Sequence, residues 1–188
     1  FRAVFYFPAV TSSAVLAVTW NLIYNPQNGI LNWFIGLFGA KPVLWLADSK
    51  TALIALSIIV ITWQLGYPII LFCAGLDGIP QTFYEAASID GAKRNRIFWQ
   101  ITFPLLKPTK LFVTVITTIG SFQTFAVVQL LTAGGPNYAT STVMYQLYET
   151  AFKFGKLGLA SAMGVVLAIL IGIVAIFQFK LLTNDVEY

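Results

Sequence analysis

The chain has 188 residues, 58% of them hydrophobic and only 10% charged, with a mean hydropathy of +0.80. A soluble domain carries about 25% charged residues, so this composition excludes a water-facing surface and leaves an integral helical membrane protein. With no histidine, seven scattered acidic residues and one cysteine (Cys73), there is no material for a His-based acid–base site, a His/Cys metal centre or an internal disulfide. The net charge of +4 is spread over loops, without the dense basic run of a nucleic-acid binder.

In chain order, the first expected span runs from about Phe1 to Tyr24, with Arg2 at its start and Trp20 and Tyr24 at its far end. About 20 residues at 1.5 Å each cover a bilayer core. Pro8 lies near its entrance, where a kink is tolerable. The opening FRAVFYFPAV lacks the basic region and cleavage site of a signal peptide, so the chain reads as the later part of a longer protein. A turn at NPQNG follows, then Ile30 to Phe38, too short to span and predicted to lie in the interface with Trp33, Phe34 and Trp45 at headgroup depth. Span two is expected from Thr51 to about Gly75, N-capped by Asp48 or Ser49. Gln64, Gly66, Tyr67 and Pro68 predict a kink or unwound segment in its middle.

The longest polar interval follows, EAASIDGAKRNRIFWQITFPLLKP over 85–108. Pro80 can open a helix over Gln81 to Ile89, which Gly91 ends. A second short helix is expected over Ala92 to Ile101, with Lys93, Arg94 and Arg96 toward water or lipid phosphate and Phe98, Trp99 and Ile101 toward the interior. Pro104 and Pro108 then turn the chain back. Span three is predicted over Thr109 to Leu131, with Pro108 in its first turn. AGGPNYATST forms a loop, Val143 to Phe154 a second short surface helix, and Leu157 to Lys180 span four, ahead of a polar tail, TNDVEY. Arg2, Lys93, Arg94, Arg96, Lys107, Lys110 and Lys180 then share one side of the membrane, seven against the four of Lys41, Lys50, Lys153 and Lys156. The positive-inside rule places both termini and the central interval in the cytoplasm.

From its residues alone the central interval is an amphipathic loop between spans. Its pattern is more specific: Glu85, Ala86 and Ala87, then Gly91, Ile101 and Pro104, with Phe103 where leucine is usual. This resembles the EAA loop of ATP-binding-cassette importer permeases. AGLDGIPQTFYEAASIDGAKRNRIFWQITFPLLKP, WNLIYNPQNGILN, IGSFQTF and LTAGGPNYATSTVMYQLYETAF are similar to their carbohydrate branch, so the resemblance covers essentially the whole chain. It implies an all-α integral membrane bundle of the MetI-like permease type. About four spans would lie in one permease domain, with short interfacial and cytoplasmic coupling helices and further helices before Phe1. It implies that Glu85, Ala86, Ala87, Asp90, Gly91, Ile101 and Pro104, within 80–108, dock a separate ATPase dimer that binds the ATP and Mg2+, the chain itself holding no cofactor. A second permease subunit, an extracytoplasmic solute-binding protein and a sugar substrate are the other partners it implies. No G-x-x-x-x-G-K-[ST] phosphate loop occurs in the chain.

Gln64, Tyr67, Ser121, Gln123, Thr124 and Gln129 in spans two and three are the candidate pathway residues. Uncharged hydrogen-bonding groups beside Phe122 and Phe125 suit a sugar. The same side chains also suit bonding between helices, at about 0.6 kcal/mol each. Many relatives carry Asp-Gln where this chain has Ala126 and Val127. The stripe Ala160, Gly164, Ala168 and Gly172 reads as helix packing, Gly134, Gly135 and Pro136 as a tight connection, and Glu149, Lys153 and Lys156 as a solvated face. The segment Asn137 to Tyr148 is the expected contact for the binding protein. Two other readings stay open: an importer of the same family for another solute such as glycerol phosphate, and an ion-coupled secondary transporter. The first would want a cation at membrane depth in spans two and three, the second acidic residues within the spans, and neither is present.

Overall fold

The computed structural model describes residues 2–183, with side chains over 4–182. The tail beyond Thr183 and the side chain of Arg2, counted above for topology, lie outside the described residues. All regular structure among the described residues is helical. Three stretches are long and apolar enough to cross a membrane, 52–77, 107–131 and 157–182, and a bent pair at the start makes up to four.

Span one is not a single helix. It divides into α1 (Arg2–Val10) and α2 (Ser13–Ile23), bent by 113°. Pro8 cannot donate to the Val4 carbonyl, the helix ends within a turn, and Ser12 restarts the chain by accepting the Val15 N–H at 3.4 Å. The two pieces serve different neighbours: α1 packs against α4 (Ala52–Gln64) and α5 (Gly66–Asp77), α2 against α3 (Ile30–Gly36) and α10 (Ala126–Leu131).

The predicted unwinding at Gln64–Pro68 does not occur. Leu65 joins α4 to α5 in ordinary helical conformation (φ −59°, ψ −31°), because Pro68 sits early in α5, where it deprives only the Gln64 carbonyl of its donor. Gly66 has a packing role instead. A Cβ there would stand 2.8 Å from the Phe5 carbonyl oxygen and 3.0 Å from the Ala9 Cβ, so α1 crosses directly on it. Neither Asp48 nor Ser49 caps α4. The Asp48 carboxylate accepts the Lys50 N–H at 3.0 Å in the preceding turn, while the Thr51 hydroxyl bonds the Leu44 and Trp45 carbonyls at 3.1 Å.

The break within a span falls in span three. It runs as α9 (Lys107–Phe122) and α10, separated at Gln123–Phe125, where Phe125 takes φ −129°, ψ −57°. After it come α11 (Val143–Tyr148), a π turn over Glu149–Lys153, and the uninterrupted α12 (Leu157–Thr183).

The core gathers at one end of the bundle from Leu16, Tyr24, Ala55, Leu56, Ile59, Val127, Val128 and Tyr145, with Trp20, Trp45 and Trp63 packed on it. The Tyr24 hydroxyl donates to the Ala55 carbonyl at 3.1 Å. Trp45 is half-buried: its ring meets Tyr24 at 5.7 Å and its Nε1–H donates to Asn32 Oδ1 at 2.9 Å. Asn32 also bonds the Pro26 and Val43 carbonyls, binding the connection between spans one and two into one ordered platform. Trp33 and Phe34 are exposed, as expected.

The segment 143–154 is helical through Lys153 and keeps one face on the surface, with Val143, Phe152 and Phe154 exposed, but buries the other. Tyr145, Glu149, Thr150 and Ala151 are buried, and Gly134 (φ +78°) leaves the space its Cβ would take, 2.7 Å from the Tyr145 ring. Glu149 accepts from the Tyr145 hydroxyl at 3.1 Å and from Lys153 Nζ at 2.7 Å, so it is drawn inward, while Lys153 and Lys156 stay exposed on the solvated face. The Lys153 ammonium, and after it the Tyr145 hydroxyl, hold this carboxyl below the usual carboxylate range against the opposing effect of burial.

The Gly66 crossing makes a direct prediction. Gly66→Val in the full-length protein should cost about 1–3 kcal/mol by overpacking, read as a lower melting midpoint in detergent, whereas Gly36→Ala, with open space around its Cβ position, should leave the midpoint within error.

Candidate functional site

Two places collect the residues singled out by sequence. The first is a cleft of ≈ 1150 Å³ between α4–α5, α9–α10, α11 and α12. The break in span three builds it. Where α9 stops, Gln123, Thr124 and Phe125 turn into the cleft, and from the facing helix come Trp63, Gln64, Tyr67 and Pro68. Gln64 faces Gly120 across the cleft, its amide oxygen 3.5 Å from where a Gly120 Cβ would stand. Of the six candidate pathway residues, the structure brings Gln64, Tyr67, Gln123 and Thr124 together here. Ser121 is exposed and donates to the Thr118 carbonyl at 2.8 Å. Gln129 lies on α10 away from the cleft, with its buried Oε1 lacking a hydrogen-bond partner among the described residues.

The far walls were not legible as such. Gly164, Ala168 and Gly172, read as a packing stripe, line the cleft on α12, and Ala160 alone of that stripe is buried. Met144 and Leu147 close another side from α11. No charged side chain lies among the described lining residues.

One hydroxyl ties α11 to the break. Thr142 accepts the Tyr145 N–H at 3.2 Å as N-cap of α11 and donates to the Thr124 carbonyl at 2.9 Å. That carbonyl has left the helical ladder, and the hydroxyl gives it a partner. The Phe125 and Tyr148 rings, 4.8 Å apart, reinforce the joint.

The second place is the interval between α5 and α9. Gly75 lets the two spans approach there, its Cβ position lying 2.6 Å from Thr109 Oγ1 and 3.0 Å from Leu106 Cδ2. From this closed base the chain projects α6 (Gln81–Ile89), then α7 (Arg94–Ile97), a π turn over Phe98–Thr102, and α8 (Phe103–Leu105). Gly91 ends α6 at φ +69°, while the Ala92 N–H reaches back to the Ala87 carbonyl at 3.0 Å. Glu85, Ala86, Asp90 and Gly91 are exposed, as is Ile89 at 87%, whereas Ala87 is buried. The Tyr84 hydroxyl meets the buried Thr102 hydroxyl at 3.3 Å and braces α6 on the second limb.

That second limb differs from its expected form. The helical path continues past Ile101 and through exposed Pro104 to Leu105. The π turn, with Phe103 N–H bonded to the Phe98 carbonyl, loosens the ladder at the residues before Pro104, which has no N–H to donate. Phe98 and Trp99 do not face the interior. They are 46% and 62% exposed, and Ile101 is half-buried.

A family model described as "Binding-protein-dependent transport system inner membrane component" matches residues 1–188. The chain belongs to this family. It is 35% identical over 192 residues to a sn-glycerol-3-phosphate transport system permease protein of Agrobacterium fabrum, covering 100% of this chain and 64% of that protein. It is 34% identical over 170 residues to the trehalose/maltose transport system permease protein MalF of Thermococcus litoralis, covering 90% and 57%. The chain thus spans less than two thirds of these relatives. A crystal structure of a bacterial ABC transporter importing the acidic polysaccharide alginate matches with a TM-score of 0.87 at 21% identity, covering 99% of this chain and 65% of that one. That likeness confirms the all-helical fold, while the family and the long apolar helices make the chain a multi-pass membrane protein.

Thr142 can be tested by separating its two bonds. Thr142→Ser keeps both and should match the parent, while Thr142→Asp keeps the cap but cannot donate to the Thr124 carbonyl. The Asp variant should lose about 1–3 kcal/mol, measured as the melting midpoint of the full-length protein in detergent. A midpoint equal to the parent's would show that the tie contributes nothing.

Proposed function

We propose that the chain is the permease part of an ATP-driven, binding-protein-dependent sugar importer, forming one half of a translocation pathway that a second permease subunit completes. The observation that carries this is the exposed α6 face, with Glu85, Ala86, Asp90 and Gly91 projecting on a braced limb from the closed base of spans two and three. A small-residue surface ending in a sharp turn suits insertion into a groove, and Glu85 can make a charge-assisted bond there. The partner in that groove is a separate ATPase dimer, which binds ATP and Mg2+, and no covalent chemistry takes place in this chain. The coupling loop and the C-terminus lie in the cytoplasm of an inner-membrane protein, and the opposite end, where α11 joins the core, meets an extracytoplasmic binding protein.

The substrate class follows from the cleft wall. Gln64, Gln123 and Thr124 offer hydrogen bonds, Trp63, Tyr67 and Phe125 offer ring faces, and no charge is present among the described lining residues. This suits a neutral polyhydroxylated ligand. Glycerol phosphate is the second reading, favoured by the names of several relatives. It would require the partner subunit to supply the cation.

The coupling role is checked by co-purifying the full-length protein with its ATPase. Glu85→Arg, by reversing an interface charge, and Gly91→Pro, by forbidding the φ of +69° that ends α6, should each reduce the recovered ATPase more than about tenfold, while still inserting in the membrane. Undiminished recovery would refute the docking role. For the cleft, Gln123→Ala should raise the sugar concentration for half-maximal uptake up to about tenfold, the worth of one neutral hydrogen bond, and Ser121→Ala should not.

A further inference from the structure

The two limbs between α5 and α9 divide their charges completely. Asp77, Glu85 and Asp90 are the charged residues of 77–92, and Lys93, Arg94, Arg96, Lys107 and Lys110 are those of 93–110. The exposed face proposed for the ATPase lies on the acidic limb, and of the implied coupling residues only Ile101 and Pro104 fall on the basic one. The basic limb carries something else: an exposed aromatic cluster. Phe98, Trp99 and Phe103 pack on one another with ring centroids 5.1, 6.3 and 5.2 Å apart, yet each is more than two-fifths exposed. Lys110 reaches back from the first turns of span three to place its Nζ 3.2 Å over the Phe103 ring.

From this juxtaposition we propose that the basic limb is a binding site for the headgroup of an anionic phospholipid. Span three begins at Lys107, so the rings lie within about two turns of it, at the depth where amphipathic rings and snorkelling cations sit in a bilayer. Arg94 and Arg96 are exposed beside them, and Arg96 is held in place by its Nε bond to Gln100 Oε1 at 2.8 Å. A guanidinium binds a phosphate diester through paired N–H groups, and the rings cover the glycerol and upper acyl region. The limb itself carries cations and no acidic residue, which favours a phosphate, whereas Glu85 and Asp90 on the acidic limb disfavour one. The limb thus anchors the loop to the membrane on one side while α6 remains free for a protein on the other. The leaflet rests on the orientation proposed above; the ligand chemistry does not.

The test uses the full-length protein purified with its partner subunits, in detergent containing equal phosphatidylcholine and phosphatidylglycerol, with retained lipids counted by native mass spectrometry. The parent should retain phosphatidylglycerol in preference. Arg94→Gln with Arg96→Gln should reduce that preference by about fivefold for each cation removed, and Arg94→Lys with Arg96→Lys should keep most of it. Equal retention of both lipids by the parent, or an unchanged preference in the Gln pair, overturns the site. If the Gln pair instead loses the ATPase with its lipid preference intact, the limb is a protein contact and the lipid site falls. ATPase recovery with the parent reports separately on the coupling role.

Discussion

A backbone carbonyl released from its helix inside a bilayer has no water to bond, and every interruption of a span must be answered by another group of the protein. The architecture depends on how this chain meets that constraint. At Gln123–Phe125 the Thr124 carbonyl leaves the ladder and receives the Thr142 hydroxyl. At the bend in span one, the Ser12 hydroxyl accepts the Val15 N–H in the first turn of α2. The cleft exists because the first of these interruptions is stable, since an unbroken span three would carry Gln123 and Thr124 along a continuous helix surface.

The same logic explains why the end of the bundle that holds Tyr24, Ile59 and Tyr145 is the best-packed part of the described residues. Two groups of bonds converge there: the Asn32 side chain holding the 25–45 connection, and Tyr145 with Glu149 and Lys153 behind Gly134. Elsewhere the spans expose Val, Ile, Leu and Phe broadly, α12 most of all. In hydrocarbon that exposure costs little, so bundle shape is set by close crossings at Gly66 and Gly75 and by a few polar ties, Gln178 to Thr118 among them. The opposite end follows a different rule. It projects a short helix on which Glu85, Ile89 and Asp90 are exposed.

The amino-acid sequence by itself determined the class, the approximate spans, the short helix at Ile30, the turn at Gly91 and the membership of Glu85 to Pro104 in one projecting loop. Those rest on local properties: the length of an apolar run, the conformational freedom of glycine, the missing N–H of proline. It also singled out Gln64, Tyr67, Gln123 and Thr124, together with Ser121 and Gln129, as polar groups suited either to a pathway or to bonding between helices. Only the tertiary structure decided which span breaks. Pro68 and Gly66 look like the stronger interruption, but Gly66 is used for a helix crossing and the ladder continues around Pro68. The break falls instead where a hydroxyl 18 residues away could reach the freed carbonyl. Likewise Ser121 and Gln129 fall outside the cleft while Gly164, Ala168 and Gly172 line it, and Glu149 is buried while Trp99 is exposed. Each depends on which surface a neighbouring helix covers, and that is fixed by packing between segments distant in the chain.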